Sequence, residues 1–155
     1  MTDLTHLDDA GRARMVDVAD RAVSARSATA TGRVTTTAAR AIAAGGVPKG
    51  DALAVARIAG IMATKRTPDL IPLCHPIAVH GVDVQVEAAP DADEVRIAAT
   101  VRTADRTGVE MEALTAVAVA GLAIIDMVKA LDPHAALRHV EVQSKDGGRR
   151  GAWTR

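Results

Sequence analysis

The sequence predicts a single domain in which helices pack against antiparallel strands. Residues 78–87 and 95–102 each alternate apolar and polar side chains, and the turn-forming segment 90–93 separates them, a pattern typical of an antiparallel strand pair. Residues 110–131 form a long apolar run without proline, rich in the strong helix formers Ala, Leu and Met. A chain of 155 residues is long enough to build one domain with its own core.

The N-terminal part of the chain predicts an arm followed by extended structure. Residues 1–14 are polar, and we expect them to form a flexible arm ahead of a single domain at 15–155. Residues 15–34 combine short apolar–polar alternations with Ser and Thr, which favours a strand. Three arginines lie along this stretch, on either a solvated strand face or an edge that faces an anion: Arg21, Arg26 and Arg33.

Two helices are predicted next. Residues 35–44 are rich in alanine and end at a pair of glycines, which is typical of a helix C-terminus. A second helix is predicted over 51–66, with Asp51 as its N-cap and the Thr67-Pro68 step after it. Lys49 lies just before this helix, where free backbone N–H groups favour an anion, although a loop lysine without a function is the commoner case.

The following segment displays a cysteine and a histidine on a loop that is stiffened by prolines. Pro72 and Pro76 frame Cys74-His75 and keep this loop out of the middle of a sheet. The pair is either exposed for contact with a ligand or buried for structural reasons. Zinc is disfavoured, because adjacent Cys and His are poorly spaced for one ion and the chain has a single cysteine. We therefore predict no metal site and no cofactor.

Four charged side chains interrupt the long apolar helix at 110–131. Glu110 and Glu112 suit the positive end of the helix dipole, and Asp126 shares a helical face with Lys129. Glu112 and Asp126 are fourteen residues apart, which separates them by roughly 21 Å along the axis. Either a long ligand spans them, or two chains pair so that opposite helix ends meet. The alternative is an ordinary exposed ion pair and an acidic helix start.

The C-terminal part predicts one more strand and a basic loop. Residues 137–142 read as a strand. Residues 145–151 are rich in glycine and basic side chains, which suits a mobile loop that closes over phosphates, although a solvated tail is commoner.

Composition limits the classes of partner. The chain has 19 basic and 19 acidic residues, and this zero net charge argues against broad adhesion to nucleic acid or membrane. Trp153 is the only aromatic residue, so platforms for base stacking are missing. We predict a cytoplasmic protein, because the N-terminus lacks an apolar signal core and no long apolar run is free of polar breaks. A core of small aliphatic side chains offers little bulk, which favours oligomerisation.

Three long segments resemble one known family. They are LTHLDDAGRARMVDVADRAVSAR at the N-terminus, KGDALAVARIAGIMATKRTPDLIPLCHP in the middle, and TGVEMEALTAVAVAGLAIIDMVKALD on the long helix. Together they are similar to the cyclic pyranopterin monophosphate synthases, accessory protein C of molybdenum cofactor biosynthesis. The similarity covers nearly the whole chain, and the segments IPLCHP and TGVEMEALTAV are too long for a chance match.

The resemblance implies a fold, an assembly and a reaction. The fold would be α+β, a ferredoxin-like antiparallel sheet packed with helices, assembled as a homohexamer from three dimers with active sites at the dimer interface. The activity would be that of a lyase. Its substrate would be a purine-derived cyclic nucleotide triphosphate, a cyclic dihydroguanosine triphosphate, from which diphosphate leaves and cyclic pyranopterin monophosphate forms.

The resemblance also implies roles for individual residues. Asp126 would be catalytic, with Lys49 and Lys129 beside it. Seven residues would contact the substrate: Leu73, Cys74, His75, Glu110, Met111, Glu112 and Lys145. The chain departs from the family in its tail, where Arg149 replaces a frequent lysine and Arg150 a small residue. The rival functions are a non-catalytic oligomeric module that binds a guanine nucleotide and a purely structural oligomer, neither of which needs the Asp126–Lys129 pair.

Overall fold

Five antiparallel strands form one sheet in the computed structural model, which describes residues 6–149 and 151–155. In chain order the strands are β1 (Ser24–Thr35), β2 (Gly81–Ala89), β3 (Glu94–Asp105), β4 (Ala136–Asp146) and β5 (Trp153–Thr154). Their order across the sheet is β2-β3-β1-β4-β5. A short 3₁₀ turn at Pro90–Ala92 joins β2 to β3, as the sequence predicts for this antiparallel pair.

Two long helices cover one face of this sheet. The helices in chain order are α1 (Ala39–Ala43), α2 (Ala52–Thr64), α3 (Thr67–Leu70) and α4 (Glu110–Val128). Helices α2 and α4 pack against each other, and α4 also packs on β1, β3 and β4. The order of strands and helices, with β3 inserted between β1 and β2, is that of a ferredoxin-like fold, so the predicted α+β class is confirmed.

Small residues allow these layers to approach closely. A Cβ atom on Gly60 of α2 would lie 3.1 Å from the carbonyl oxygen of Ala116 on α4. A Cβ atom on Gly32 of β1 would lie only 2.7 Å from Cγ1 of Val117. The alanine-rich composition therefore builds a closely packed core in which α4 is held directly against the sheet.

The predicted strand over 78–87 begins three residues too early. Ala78 bonds to side chains of the neighbouring strand β3 and not to its backbone: its carbonyl accepts from the Thr103 hydroxyl, and its N–H donates to Asp105 Oδ2 at 3.3 Å. These bonds remove Ala78 from the backbone ladder, although the apolar–polar alternation continues through it. Strand β3 is longer than predicted at both ends, and β4 extends to Asp146.

Residues 15–23, predicted as the first part of a strand, form no regular element. The Asp17 carboxylate accepts from the Ala19 N–H at 2.8 Å, and a second polar contact joins Arg106 to the Ala19 carbonyl. Such local side-chain bonds compete with a strand ladder, and β1 begins only at Ser24.

A helix was predicted over 35–44, but only the five residues of α1 are helical. The residues just before α1 are held outside the helix by hydrogen bonds to Asp132. The Asp132 carboxylate accepts from the Thr36 hydroxyl at 2.8 Å and from the Thr37 N–H at 2.9 Å. The Thr36 hydroxyl bond is the main cause that lowers the pKa of Asp132. These contacts also fix the chain after α4, which ends at Val128, earlier than the predicted Leu131.

Helix α2 agrees with its prediction more closely. The Asp51 side chain accepts from the Ala54 N–H at 3.0 Å, as an N-cap does. The predicted break at Thr67-Pro68 follows α2, but these residues begin the short α3. Proline is compatible with the first turn of a helix, where its missing N–H has no intrahelical partner.

Helix α4 is long and apolar enough to span a membrane by length and composition, although its polar residues argued against this. Just over half of that stretch is buried inside the domain. It packs beside α2 on the same face of the sheet and is the core helix of the fold.

Both chain ends retain untested predictions. Leu7 and Ala13 form an isolated antiparallel bridge around a turn in which Asp8 accepts backbone N–H groups. The flexibility predicted for residues 1–14 stays a prediction, and residues 1–5 lie outside the described part. The loop after β4 contains Gly147 and Gly148 with positive φ, and β5 then pairs with β4. The mobility of this loop also stays a prediction.

Candidate active site

Two lysines converge on Asp126 at the C-terminal end of α4. Lys129 Nζ lies 2.7 Å from one carboxylate oxygen of Asp126, and Lys49 Nζ lies 3.0 Å from the other. Lys49 also donates to the backbone carbonyl of Asp126 at 2.6 Å. The loop between α1 and α2 therefore brings Lys49 to the helical pair that the spacing of Asp126 and Lys129 predicts.

This cluster faces solvent and keeps Asp126 ionised. The Asp126 side chain is 58% exposed, and those of Lys49 and Lys129 are 42% and 60% exposed. Hydrogen bonds from Lys129 and then Lys49 lower the pKa of Asp126. Exposed ion pairs contribute little to folding stability. These three side chains are therefore available for chemistry without a large effect on the stability of the fold.

A cavity of about 660 Å³ lies at the opposite end of α4. Its wall combines the first turn of this helix with the Cys74 loop, the N-terminal segment, β1 and the end of β4. All seven residues that the resemblance assigns to substrate contact line it: Leu73, Cys74, His75, Glu110, Met111, Glu112 and Lys145. Residues up to 72 positions apart in sequence thus meet around one space. Their role in binding stays a prediction.

One part of the wall is acidic and unusually buried. Glu112 is only 2% exposed, and among the described residues no hydrogen-bond donor reaches its Oε2 atom. Burial raises the pKa of Glu112 to about 7, and the neighbouring charge of Glu110 adds to this effect. The backbone N–H of Glu112 itself acts in the opposite direction. A neutral carboxyl group is therefore well populated at neutral pH.

Cys74 and His75 lie on the facing loop. The Cys74 N–H donates to the Ile71 carbonyl at 3.0 Å, which closes a turn, and a His75 ring nitrogen contacts the Val16 carbonyl. Burial, and then the charges of Glu112 and Glu110, raise the pKa of the Cys74 thiol. The thiol is consequently protonated at neutral pH and is a weak nucleophile.

The other part of the wall is basic. Lys145 lies 3.8 Å from Glu110, and Arg21, Arg26 and Arg149 line the same cavity. Gly148 passes over Arg26 so closely that a Cβ atom there would lie 2.4 Å from a guanidinium nitrogen. The glycines of the tail thus let it pack against β1 beside the cavity.

Sequence reasoning left several wall residues unassigned. It offered an anion-facing edge as one interpretation of Arg21, Arg26 and Arg33; Arg21 and Arg26 line the cavity, whereas Arg33 does not. It gave no function to His6, Val16 or Val18, which also line the cavity. These three residues belong to the N-terminal segment that resembles the family, but no local pattern in it assigns them a function.

The described chain does not unite the two groups of polar residues. Glu112 and Asp126 remain roughly 21 Å apart along α4, since the helix is continuous between them. A further depression lies on the opposite, helix-free face of the sheet, between Arg33, Arg96 and His139, and it contains none of the residues that the resemblance assigns to catalysis or substrate contact. No group of three or more His, Cys, Asp or Glu side chains within residues 6–149 and 151–155 is arranged to hold a metal ion.

Comparison with known proteins identifies the family. The MoaC family profile matches residues 15–148. This range includes the Asp126 cluster and the seven cavity residues that were predicted to contact substrate. The chain belongs to the MoaC family. The resemblance found in its motifs is thereby confirmed.

Close relatives within the family carry a functional name. A protein of Streptomyces coelicolor named cyclic pyranopterin monophosphate synthase is 60% identical over 154 residues, 98% of this chain and 89% of its own. One of Nocardioides sp. with the same name is 57% identical over 155 residues, 98% and 95% of the two chains. Cyclic pyranopterin monophosphate synthase 2 of Mycobacterium tuberculosis is 55% identical over 155 residues, 99% and 92% of the two chains.

Proposed function

We propose that this protein is a cyclic pyranopterin monophosphate synthase, a lyase of molybdenum cofactor biosynthesis. Its substrate would be (8S)-3',8-cyclo-7,8-dihydroguanosine 5'-triphosphate, and its products cyclic pyranopterin monophosphate and diphosphate. The observation that carries the proposal is the 55–60% identity, over nearly the whole chain, to relatives of that name. The matched regions cover 98% and 99% of this chain in the Streptomyces coelicolor and Mycobacterium comparisons.

The Asp126 cluster suits the proton transfers of this rearrangement. An ionised carboxylate is a proton acceptor, and each neighbouring ammonium group is a proton donor at short distance. We assign the chemical step to Asp126, with Lys49 and Lys129 as its partners. The lysines also supply positive charge to an oxygen on which negative charge develops.

The cavity suits recognition of a guanine-derived triphosphate. Carboxyl groups of Glu110 and Glu112 would meet the donor groups of the ring, since an ionised carboxylate only accepts hydrogen bonds. Lys145 and the arginines of the basic part would bind the phosphates. Leu73, Cys74, His75 and Met111 would supply the remaining contacts to the substrate.

We further propose that two chains complete each site within a hexamer of three dimers. The separation of about 21 Å between the two groups supports this arrangement, because an antiparallel neighbour would bring its Asp126 end to the cavity. Exposed apolar side chains give additional support. Val55, Ile58 and Met62 form a stripe on α2 with 44–61% exposure, and Leu122 on α4 is 57% exposed beside Asp126.

We place this activity in the cytoplasm, without nucleic-acid or membrane partners. The balanced charge and the single cysteine, Cys74, support this setting.

Turnover by the purified protein tests the proposed function. Incubation with the cyclic dihydroguanosine triphosphate should release diphosphate and form cyclic pyranopterin monophosphate in equal amounts. A matched reaction with Asp126→Asn should form neither at a comparable rate. Tight binding of the triphosphate without diphosphate release would instead favour the non-catalytic nucleotide-binding module.

A further inference from the structure

The cavity contains one polar group whose structural role is unexplained. Glu112 is 2% exposed, and its Oε2 atom has no hydrogen-bond partner among the described residues. A buried carboxylate oxygen without a donor is costly, so such a group either becomes neutral or awaits a partner. Because Glu112 lines the cavity, a bound ligand is the natural source of that partner.

Both acidic and basic groups lie around Glu112, so its protonation state depends on their balance and on the ligand. On α4 itself Glu110 opposes ionisation, and on the facing loop Cys74 and His75 are close, Cys74 bearing a protonated thiol. On the other walls lie the cationic groups Lys145, Arg26, Arg21 and Arg149, and the ring of His6. Lys145 Nζ lies 3.8 Å from Oε1 of Glu110, so Lys145 forms its ion pair with Glu110 and not with Glu112.

We propose that Glu112 recognises the guanine ring of the ligand through a change of protonation: its carboxyl group is partly protonated in the empty site near neutral pH, and binding of the ring ionises it fully. This inference rests on the proposed function, because that function supplies a guanine-derived ring. The two adjacent ring donors, an N1–H and an exocyclic NH₂, would bond to the two Glu112 oxygens. The carboxyl proton leaves to solvent, and no covalent bond of the ligand changes.

The direction of the pH dependence follows from this coupling. The pKa of Glu112 in the empty site is about 7, so near pH 7 roughly half of the sites carry the proton. Ring donors favour the ionised form, so the pKa is lower in the complex than in the empty site. Binding is therefore at full strength above the pKa of the empty site and weakens as pH falls below it. Between pH 8 and pH 6 the affinity should fall about tenfold through this group.

Calorimetric titration with GTP tests the coupling, since GTP presents the same ring donors and a triphosphate. At pH 7, titrations in buffers of different ionisation enthalpy should report roughly half a proton released per site. Glu112→Gln should release none through this group, and its affinity should lose the associated pH dependence. Glu87→Gln, an exposed glutamate on β2, is the matched control and should behave as the parent protein. Titration of the triphosphate itself is common to all three proteins and cancels in the comparison.

Two further measurements keep the test decisive. ITP lacks the exocyclic NH₂ and should bind about tenfold more weakly than GTP to the parent protein, with a smaller loss in Glu112→Gln. Infrared difference spectra at pH 6.5 should show the band of a protonated carboxyl group disappear when GTP binds. This band should be absent from Glu112→Gln, which settles the assignment even if that variant binds weakly.

The inference is overturned if GTP binds without proton release, if the release persists in Glu112→Gln, or if GTP does not bind at all. Each of these results is compatible with normal turnover of the cyclic triphosphate. Loss of the proposed function would instead appear as absent turnover in the parent protein, whatever the proton count on GTP binding.

Discussion

The two ends of α4 hold carboxyl groups in opposite environments. Glu112, in the first turn, is buried in the cavity wall, and its pKa is raised to about 7. Asp126, in the last turn, is 58% exposed, and two ammonium groups lower its pKa. At neutral pH the Glu112 carboxyl group is therefore partly protonated and the Asp126 carboxyl group is ionised, although both belong to the same helix.

In the proposed function, this difference assigns binding to the Glu112 end of α4 and chemistry to the Asp126 end. A partly neutral carboxyl group in a closed wall changes its charge when a ligand supplies donors, so it suits recognition. An ionised carboxylate between two lysines is a proton acceptor beside two proton donors, so it suits the proposed reaction. The two groups cannot replace each other, and substitutions at the two ends should fail in different ways.

The largest effect is expected at the exposed end. Asp126→Asn removes the proton acceptor and retains the size of the side chain, so kcat should fall about 100-fold or more. Because the cluster is exposed, the thermal unfolding temperature and the oligomeric state should change little. Steady-state kinetics and calorimetry measure the two effects. Asp69→Asn is a matched control, since Asp69 pairs with Arg66 at 3.3 Å in an exposed i,i+3 arrangement without Lys49 or a counterpart of it. Near-normal kcat in folded Asp126→Asn would contradict the catalytic role.

A smaller loss is expected for the lysine that joins the cluster from outside α4. Lys49→Ala should lower product formation about tenfold or more, because one of the two cations beside Asp126 is lost. Its unfolding temperature should change much less, as expected for an exposed pair. Lys65→Ala, an exposed lysine at the end of α2, serves as the control. If Lys49→Ala loses stability and activity in parallel, with full activity in the folded fraction, Lys49 is a structural loop residue.

Mixing of subunits tests whether the two ends meet between chains. Glu112→Gln and Asp126→Asn chains should each be inactive alone. In a mixed two-fold dimer one site receives both substitutions and the other neither, so random exchange restores roughly a quarter of all sites. Activity assays with native mass spectrometry, which reports the exchange, give the measurement. Demonstrated exchange without recovered activity would show that each chain builds its site alone.

The sequence predicted the exposed end better than the buried end. The Asp126–Lys129 pair follows from helical periodicity, which depends only on local spacing. The arrival of Lys145 beside Glu110 depends on the pairing of β4 with β1, a long-range contact that no local pattern encodes. Composition predicted only that the basic loop 145–151 could close over phosphates, and the family resemblance alone placed Lys145 in one site with Glu110.

Burial was the property least accessible from the sequence. Glutamates in a first helical turn usually face solvent and meet the helix dipole. Glu112 is buried because the Cys74 loop and the N-terminal segment enclose the same cavity. The sequence pattern of that segment favoured a strand, whereas residues 15–23 form no regular element. The predicted start of β2 was wrong because Ala78 is held by side chains, those of Thr103 and Asp105 on β3, which the local alternation of residues 78–87 does not reveal.

The smallest effect is expected for the cysteine that faces the buried end. Burial is the main cause that raises the pKa of the Cys74 thiol, and the charges of Glu112 and Glu110 raise it further. The thiol therefore stays protonated at neutral pH and is a poor nucleophile. Cys74→Ser keeps a small polar side chain in the wall and should leave kcat within about threefold of the parent value. Because the thiol becomes anionic only at alkaline pH, the ratio of the two rates should also stay constant between pH 6 and pH 8. Rate measurements across this range, combined with mass spectrometry of the intact protein during turnover, test both statements. A covalent adduct on Cys74, together with loss of turnover in Cys74→Ser, would assign chemistry to the buried end. It would contradict the proposed separation of binding and chemistry between the two ends of α4.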